Sequence, residues 1–93
     1  MADQDAHHLL IYEYVDDMVE RRGPYREAHL ANIRAERDAG RVVMAGALGD
    51  PPSGGAMVFK GVDPERIEAF VQADPYVAAG LVSSWRVKRW NLV

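Results

Sequence analysis

The sequence predicts an α+β domain of the ferredoxin-like kind, with element order β-α-β-β-α-β and a four-stranded antiparallel sheet. Three observations carry this. Four runs rich in branched and aromatic residues read as strands, two stretches carry helix start and stop signals after the first and third of them, and Gly/Pro clusters punctuate the boundaries. The chain has 93 residues, 48% of them hydrophobic and 27% charged, which suits one small globular domain. It has no cysteine, so disulfide frameworks, zinc fingers, iron–sulfur centres and thiol catalysis are excluded together.

The first strand is His8-Leu-Leu-Ile-Tyr-Glu-Tyr-Val15, ended by Asp16-Asp17; residues 1–7 read as a flexible tail before a domain spanning 8–93. A connecting stretch runs to Gly23. Pro24 then opens a helix over about Tyr25 to Ala39, because the first turn needs no backbone N–H and suits proline's fixed φ. Gly40 closes it. Arg41–Leu48 and Ala56–Val62 are the second and third strands, joined as a hairpin by the turn-rich Gly49–Gly55. Asp63-Pro64-Glu65 starts the second helix with an acid at the N-cap and proline at the first helical position. Pro75–Ala79 forms one more helical turn ended by Gly80, and Leu81 to Trp90 is the last strand.

Two helices cover one face of a four-stranded sheet, and the other face of an antiparallel sheet is then normally polar. Here both alternating sets of the first strand are mainly apolar: Leu9, Ile11, Val15 on one side and Leu10, Tyr12, Tyr14 on the other. The second strand repeats the pattern with Val42, Met44, Leu48 and Val43, Ala45, Ala47. The expected cover for the second face is another copy of the chain, a homodimer packed sheet to sheet.

Net charge is −3, but unevenly spread: residues 1–74 hold all 14 acidic side chains, and 75–93 hold only the bases Arg86, Lys88 and Arg89. Three bases on one terminal strand are a thin footprint for phosphate backbones, so nucleic acid is not an expected partner. No apolar run approaches the roughly 20 residues that span a bilayer. The acidic start lacks the basic and then apolar character of a secretory signal, which places the chain in the cytoplasm without a membrane partner.

Few polar residues are placed to do chemistry. His29 borders the apolar stripe of the first helix, where it reads either as a satisfied structural residue or as a catalyst. In the second helix Ile67, Phe70 and Val71 share one face, and the position seven residues beyond Ile67 is Asp74. A carboxylate directly before proline is a standard N-cap. The same group can also orient an imidazole, since both helices lie on one sheet face, and such a pair makes a proton shuttle near neutral pH. His7 and His8 are strand neighbours that point to opposite faces, so no metal site is expected. Gly46, Gly49, Gly54 and Gly55 precede no helix and form no phosphate loop. The aromatic residues Tyr12, Tyr14, Tyr76, Trp85 and Trp90 suit either a core or a stacking surface for a flat ligand.

Arg26-Glu-Ala-His29-Leu30, Gly40, Ala45-Gly46, the segment Ala73-Asp74-Pro75-Tyr76-Val77-Ala78-Ala79-Gly80-Leu81, and finally Val87 and Trp90 together resemble the YciI-like (YCII-related) family of small bacterial proteins. The resemblance covers about residues 8–92. It implies a ferredoxin-like subunit that pairs into a dimeric α/β barrel, a proposed active site matched by His29 and Asp74, and a motif arginine matched by Arg26. Two departures are the extra residues 1–7 and Ala47, where the family often has proline. The function it implies is a cofactor-independent enzyme, a lyase, isomerase or dehydrochlorinase-like catalyst acting on a small aromatic or cyclic oxygenated metabolite. In that reading His29 moves a proton, Asp74 orients and stabilises the imidazolium, Arg26 binds a substrate oxyanion and Tyr76 lines the pocket. The alternative is a non-catalytic small-ligand-binding or dimerising module in which Asp74 only caps and His29 only packs.

Overall fold

The computed structural model describes residues 3–93; the first two residues of the expected tail lie outside the described residues. Its elements are β1 (His7–Tyr14), α1 (Met18–Arg21), α2 (Gly23–Asp38), β2 (Val42–Leu48), β3 (Gly54–Lys60), α3 (Pro64–Gln72), α4 (Pro75–Ala78) and β4 (Val82–Trp90). The sheet is antiparallel with order β2-β3-β1-β4, so β1 is central and α2 carries the chain from β1 across to the far edge. This is the ferredoxin-like arrangement read from the sequence, with differences at several boundaries.

The segment expected to be a tail is a turn in residues 3–6. Ala6 is buried, its N–H donates to the Asp3 carbonyl, and its own carbonyl accepts from Gly61. The connecting stretch after β1 contains a helical turn, α1, that no sequence signal marked. Asp17 precedes it without a side-chain capping bond, and what holds the turn is the burial of Met18 against Tyr76 and Leu81. β3 starts two residues earlier than expected, because both glycines of the hairpin end lie inside the strand. A Cβ on Gly54 would collide with the backbone carbonyl of Tyr12, and one on Gly55 would come within 2.7 Å of the Tyr14 hydroxyl. Both glycines therefore serve close approach to β1, where turn formation was expected.

The core lies between sheet and helices. Leu10 and Tyr12 of β1, Met57 and Phe59 of β3 and Val42 of β2 pack on Ile67, Phe70 and Val71 of α3, with Phe59 and Phe70 edge to face at 5.5 Å. Side chains of directly paired residues share a face, so Leu9, Ile11, Val58 and Met44 lie on the opposite, open side. A register shift between Val42 and Met44 adds one residue to β2 and separates two side chains that simple alternation puts together. Val42 turns to the helices, while Met44 points outward, 62% exposed. His8 faces the helices and is buried, whereas His7 lies on the other face and engages the Asp5 carbonyl at 2.9 Å.

One ion cluster ties the end of α2 to β2 and α3. Glu36 accepts from Arg41 Nε at 2.6 Å and from Arg66 Nη2 at 2.8 Å. Hydrogen bonding from Arg41, ahead of the opposing effect of burial and the further help of Arg66, holds the Glu36 carboxyl below its ordinary range. A depressed carboxyl stabilises the fold above its unfolded pKa, and this is lost as pH falls through the folded value. Glu36→Gln is therefore expected to cost about 1 kcal/mol at pH 7, after allowance for the exposed arginines. Urea unfolding should show the gap to wild type narrowing as pH falls below the ordinary carboxylate range and Glu36 takes up its proton.

Candidate functional site

The site is built where α3 gives way to α4. Asp74 precedes Pro75, which disfavours helical backbone in the residue before it, and it is accordingly extended at φ −77°, ψ 121°. That break turns the carboxylate inward at the place where the helical stripe would have presented an apolar side chain. Asp74 is fully buried, at 0% exposure. Burial of a carboxylate is tolerable only with donors around it, and four hydrogen-bond contacts from three groups supply them. The Tyr76 backbone N–H donates to Oδ1 at 3.0 Å and the Tyr12 hydroxyl to Oδ2 at 2.8 Å. The Nδ1 of His29 reaches both oxygens, at 2.9 and 3.0 Å.

An ionised carboxylate only accepts, so Nδ1 of His29 carries a proton and, in the neutral ring, Nε2 holds the free lone pair. The ring is stacked on Tyr76, parallel to within 10° at a centroid distance of 3.7 Å. Tyr76 itself is buried, and its hydroxyl has no hydrogen-bond partner among the described residues. Burial, the neighbouring Asp74 charge and the hydrogen bond to it all push the Tyr12 hydroxyl well above the usual tyrosine range. It is therefore a protonated donor to Asp74 near neutral pH.

His29 opens onto a cleft of about 370 Å³ between α2 and the β2–β3 hairpin. The helix side of the cleft is one stripe of α2, in which Arg26, His29, Leu30, Ile33 and Arg37 recur at helical spacing, with Arg22 just before it. The sheet side is made of small residues, Ala45, Gly46, Ala47 and Gly55, with Met57 between them. Tyr14 stands at the His29 end, edge-on to Tyr76 at 6.1 Å. Its hydroxyl has no hydrogen-bond partner among the described residues. Burial foremost, then Tyr76 and Asp74, push that hydroxyl up to about 12 against the opposing charges of Arg22 and Arg26, so it is protonated and free to donate.

His29, Asp74, Arg26 and Tyr76, the four residues singled out from the sequence, thus meet at one place. Asp74 both caps α4 and holds the imidazole, as its two possible readings allowed. Sequence reasoning missed the bond of Tyr12 to Asp74 and the place of Tyr14 in the cleft wall, having treated both only as core or stacking residues, and it missed Arg22 and Arg37. The signal for the arginines was present, since both share a helical face with His29. Among the described residues no group of three or more His, Asp or Glu side chains is placed to hold a metal, and no helix is long and apolar enough to cross a membrane.

Comparison with known proteins follows the same lines. The model of the YCII-related domain matches residues 6–91. Protein YciI of Escherichia coli and Protein YciI of Shigella flexneri are each 34% identical over 86 residues, covering 83% of this chain and 88% of theirs. Among solved structures, the 5-chloro-2-hydroxyhydroquinone dehydrochlorinase TftG from Burkholderia phenoliruptrix, in complex with 2,5-dihydroxybenzoquinone, superposes with a TM-score of 0.77. That match has 20% sequence identity and covers 91% of this chain and 93% of the other, and it shows a shared fold. With a family model spanning nearly the whole sequence and relatives of this similarity, the chain belongs to the YCII-related family.

Proposed function

We propose that this protein is an enzyme that uses His29 for general acid–base chemistry on a small, oxygenated aromatic or cyclic compound, in a lyase, isomerase or dehydrochlorinase-like reaction without a cofactor. The observation that carries the reading is the buried His29–Asp74 pair, in which Asp74 engages Nδ1 while the histidine itself lines the cleft. Nε2 accepts the proton of a substrate hydroxyl, and the imidazolium so formed is stabilised by Asp74. The electron pair left on oxygen becomes a carbonyl as the ring carbon conjugated to it takes up a proton from the imidazolium. Where that carbon bears chloride, loss of a second hydroxyl proton to Nε2 expels the chloride ion and leaves a quinone. Arg26 and the protonated Tyr14 stabilise charge on the oxygen through these steps, and Tyr76 keeps the imidazole in plane. The structural relative TftG, named as a dehydrochlorinase and bound to a dihydroxyquinone, supports this choice of chemistry.

The full use of Asp74 by Tyr12, His29 and Tyr76 favours a second reading, a non-catalytic small-ligand or dimerising module in which the pair is structural. A cleft reaching the imidazole weighs against it. In either reading the open sheet face suits a second copy. Leu9, Ile11 and Val58 lie there beside Met44 and Leu48, which are 62% and 45% exposed, and pairing removes this apolar patch from water.

Three outcomes are expected. Against a panel of hydroxylated and halogenated aromatic rings, followed by absorbance and chloride release, His29→Ala and Asp74→Asn each lower turnover by about 10²-fold or more, while Asp74→Asn retains the cap. Full-rate turnover in both variants would exclude the mechanism, and cleft binding without turnover on any substrate would favour the second reading. Tyr14→Phe lowers turnover about tenfold with an unchanged unfolding midpoint, since its hydroxyl has no hydrogen-bond partner among the described residues. Sedimentation gives the mass of two chains for the wild type and of one for the double variant Met44→Asp, Leu48→Asp, whose circular dichroism is unchanged.

A further inference from the structure

The charge around the cleft is one-sided. Arg22, Arg26, Arg34 and Arg37 all line it, and no acidic residue does. Arg34 is engaged by Glu27 at 3.3 Å on the surface, but Arg22, Arg26 and Arg37 have no carboxylate within ion-pair reach among the described residues. Asp74, bonded to the Nδ1 of His29, is fully buried and already surrounded by donors.

The arginines fall into two groups. Arg22 and Arg26 are the cations close enough to Tyr14 to act on its hydroxyl, so they belong to the end where His29 and Tyr14 stand. Arg37 lies eight residues past His29, roughly 12 Å along the helix axis. Leu30 and Ile33 of α2 fill the interval on the helix side and Met57 on the sheet side. The cleft therefore runs from a cationic, proton-transferring end past Leu30, Ile33 and Met57 to a second cation, Arg37, with Arg34 on the way tied back to Glu27. A neutral hydroxylated ring would leave that second cation unused.

We infer that the substrate carries a carboxylate remote from its reacting hydroxyl, with the hydroxyl at the Tyr14–Arg26 end, an unsaturated apolar body against Leu30, Ile33 and Met57, and the carboxylate on Arg37. This rests on reading the cleft as the active site. Arg37 also sits in the last turn of α2, where any cation suits the helix dipole, so stability alone does not separate the two roles and ligand preference must.

The test compares two probes that differ only in charge, 3-(4-hydroxyphenyl)propanoate and its neutral amide. Both are titrated into wild type and Arg37→Gln while the His29 imidazole resonances are followed by NMR. The propanoate is expected to bind about tenfold more tightly than the amide, and Arg37→Gln to abolish that difference while leaving affinity for the amide unchanged. If both probes shift the His29 signals with equal affinity, or if the preference survives Arg37→Gln, the remote carboxylate or its assignment to Arg37 is overturned and the active-site reading stands. If neither probe moves the His29 signals, the substrate class is overturned as well. The acid–base reading is then decided separately by turnover of His29→Ala.

Discussion

A carboxylate sealed completely from water is the constraint on which the rest of this molecule is arranged. Asp74 has no solvent contact, and an unpaired charge in that position would cost several kcal/mol. Its donors come from three different elements: Tyr12 from β1, His29 from α2 and the Tyr76 N–H from α4. Satisfying the carboxylate therefore fixes where α2 sits on the sheet, how α4 leaves α3 and which face of the imidazole meets Tyr76. Structural need and chemical readiness coincide, because the bond that satisfies Asp74 is the one that sets the histidine tautomer and leaves Nε2 free.

The parts of this arrangement that are legible in the sequence are those encoded locally. Asp74-Pro75 announces a helix break and a cap without reference to anything distant, and the interruption of the Ile67, Phe70, Val71 stripe by an acid marks that position as unusual. The succession of strands and main helices along the chain follows from composition and punctuation. What escapes is whatever depends on one element's register against another. The extra residue in β2 is invisible in Val42-Val43-Met44, where every residue is a good strand former, yet it decides which side chains face the helices. α1 makes no side-chain capping bond at Asp17 and is held by tertiary burial of Met18. The arginine stripe of α2 is a plain surface pattern until the helix is set against β2 and β3, and only then does it become the wall of a cleft.

Charge illustrates the same limit. By counting, the basic segment is the last strand with Arg86, Lys88 and Arg89, and the first 74 residues are acidic. In the fold the concentrated positive potential is on α2, within that acidic stretch, because its acids lie away from the cleft or are consumed in pairs such as Glu36 with Arg41 and Arg66. Net charge per segment averages over faces, whereas an anion entering a cleft meets only one of them. An acidic protein thus presents a cationic site.

A two-layer domain of 93 residues has little interior to hollow out, and the cleft exists because volume is withheld at one place. Under α3 the sheet presents Phe59, Leu10 and Val42, and the layers close. Under α2 it presents Ala45, Ala47 and Gly55, which leave space between helix and sheet that the Tyr14 side chain only partly fills. The absent Cβ at Gly55 is what lets the Tyr14 hydroxyl lie over β3 at the His29 end. Large side chains under one helix and small ones under the other are thus enough to place an opening beside the histidine of a buried histidine–aspartate pair.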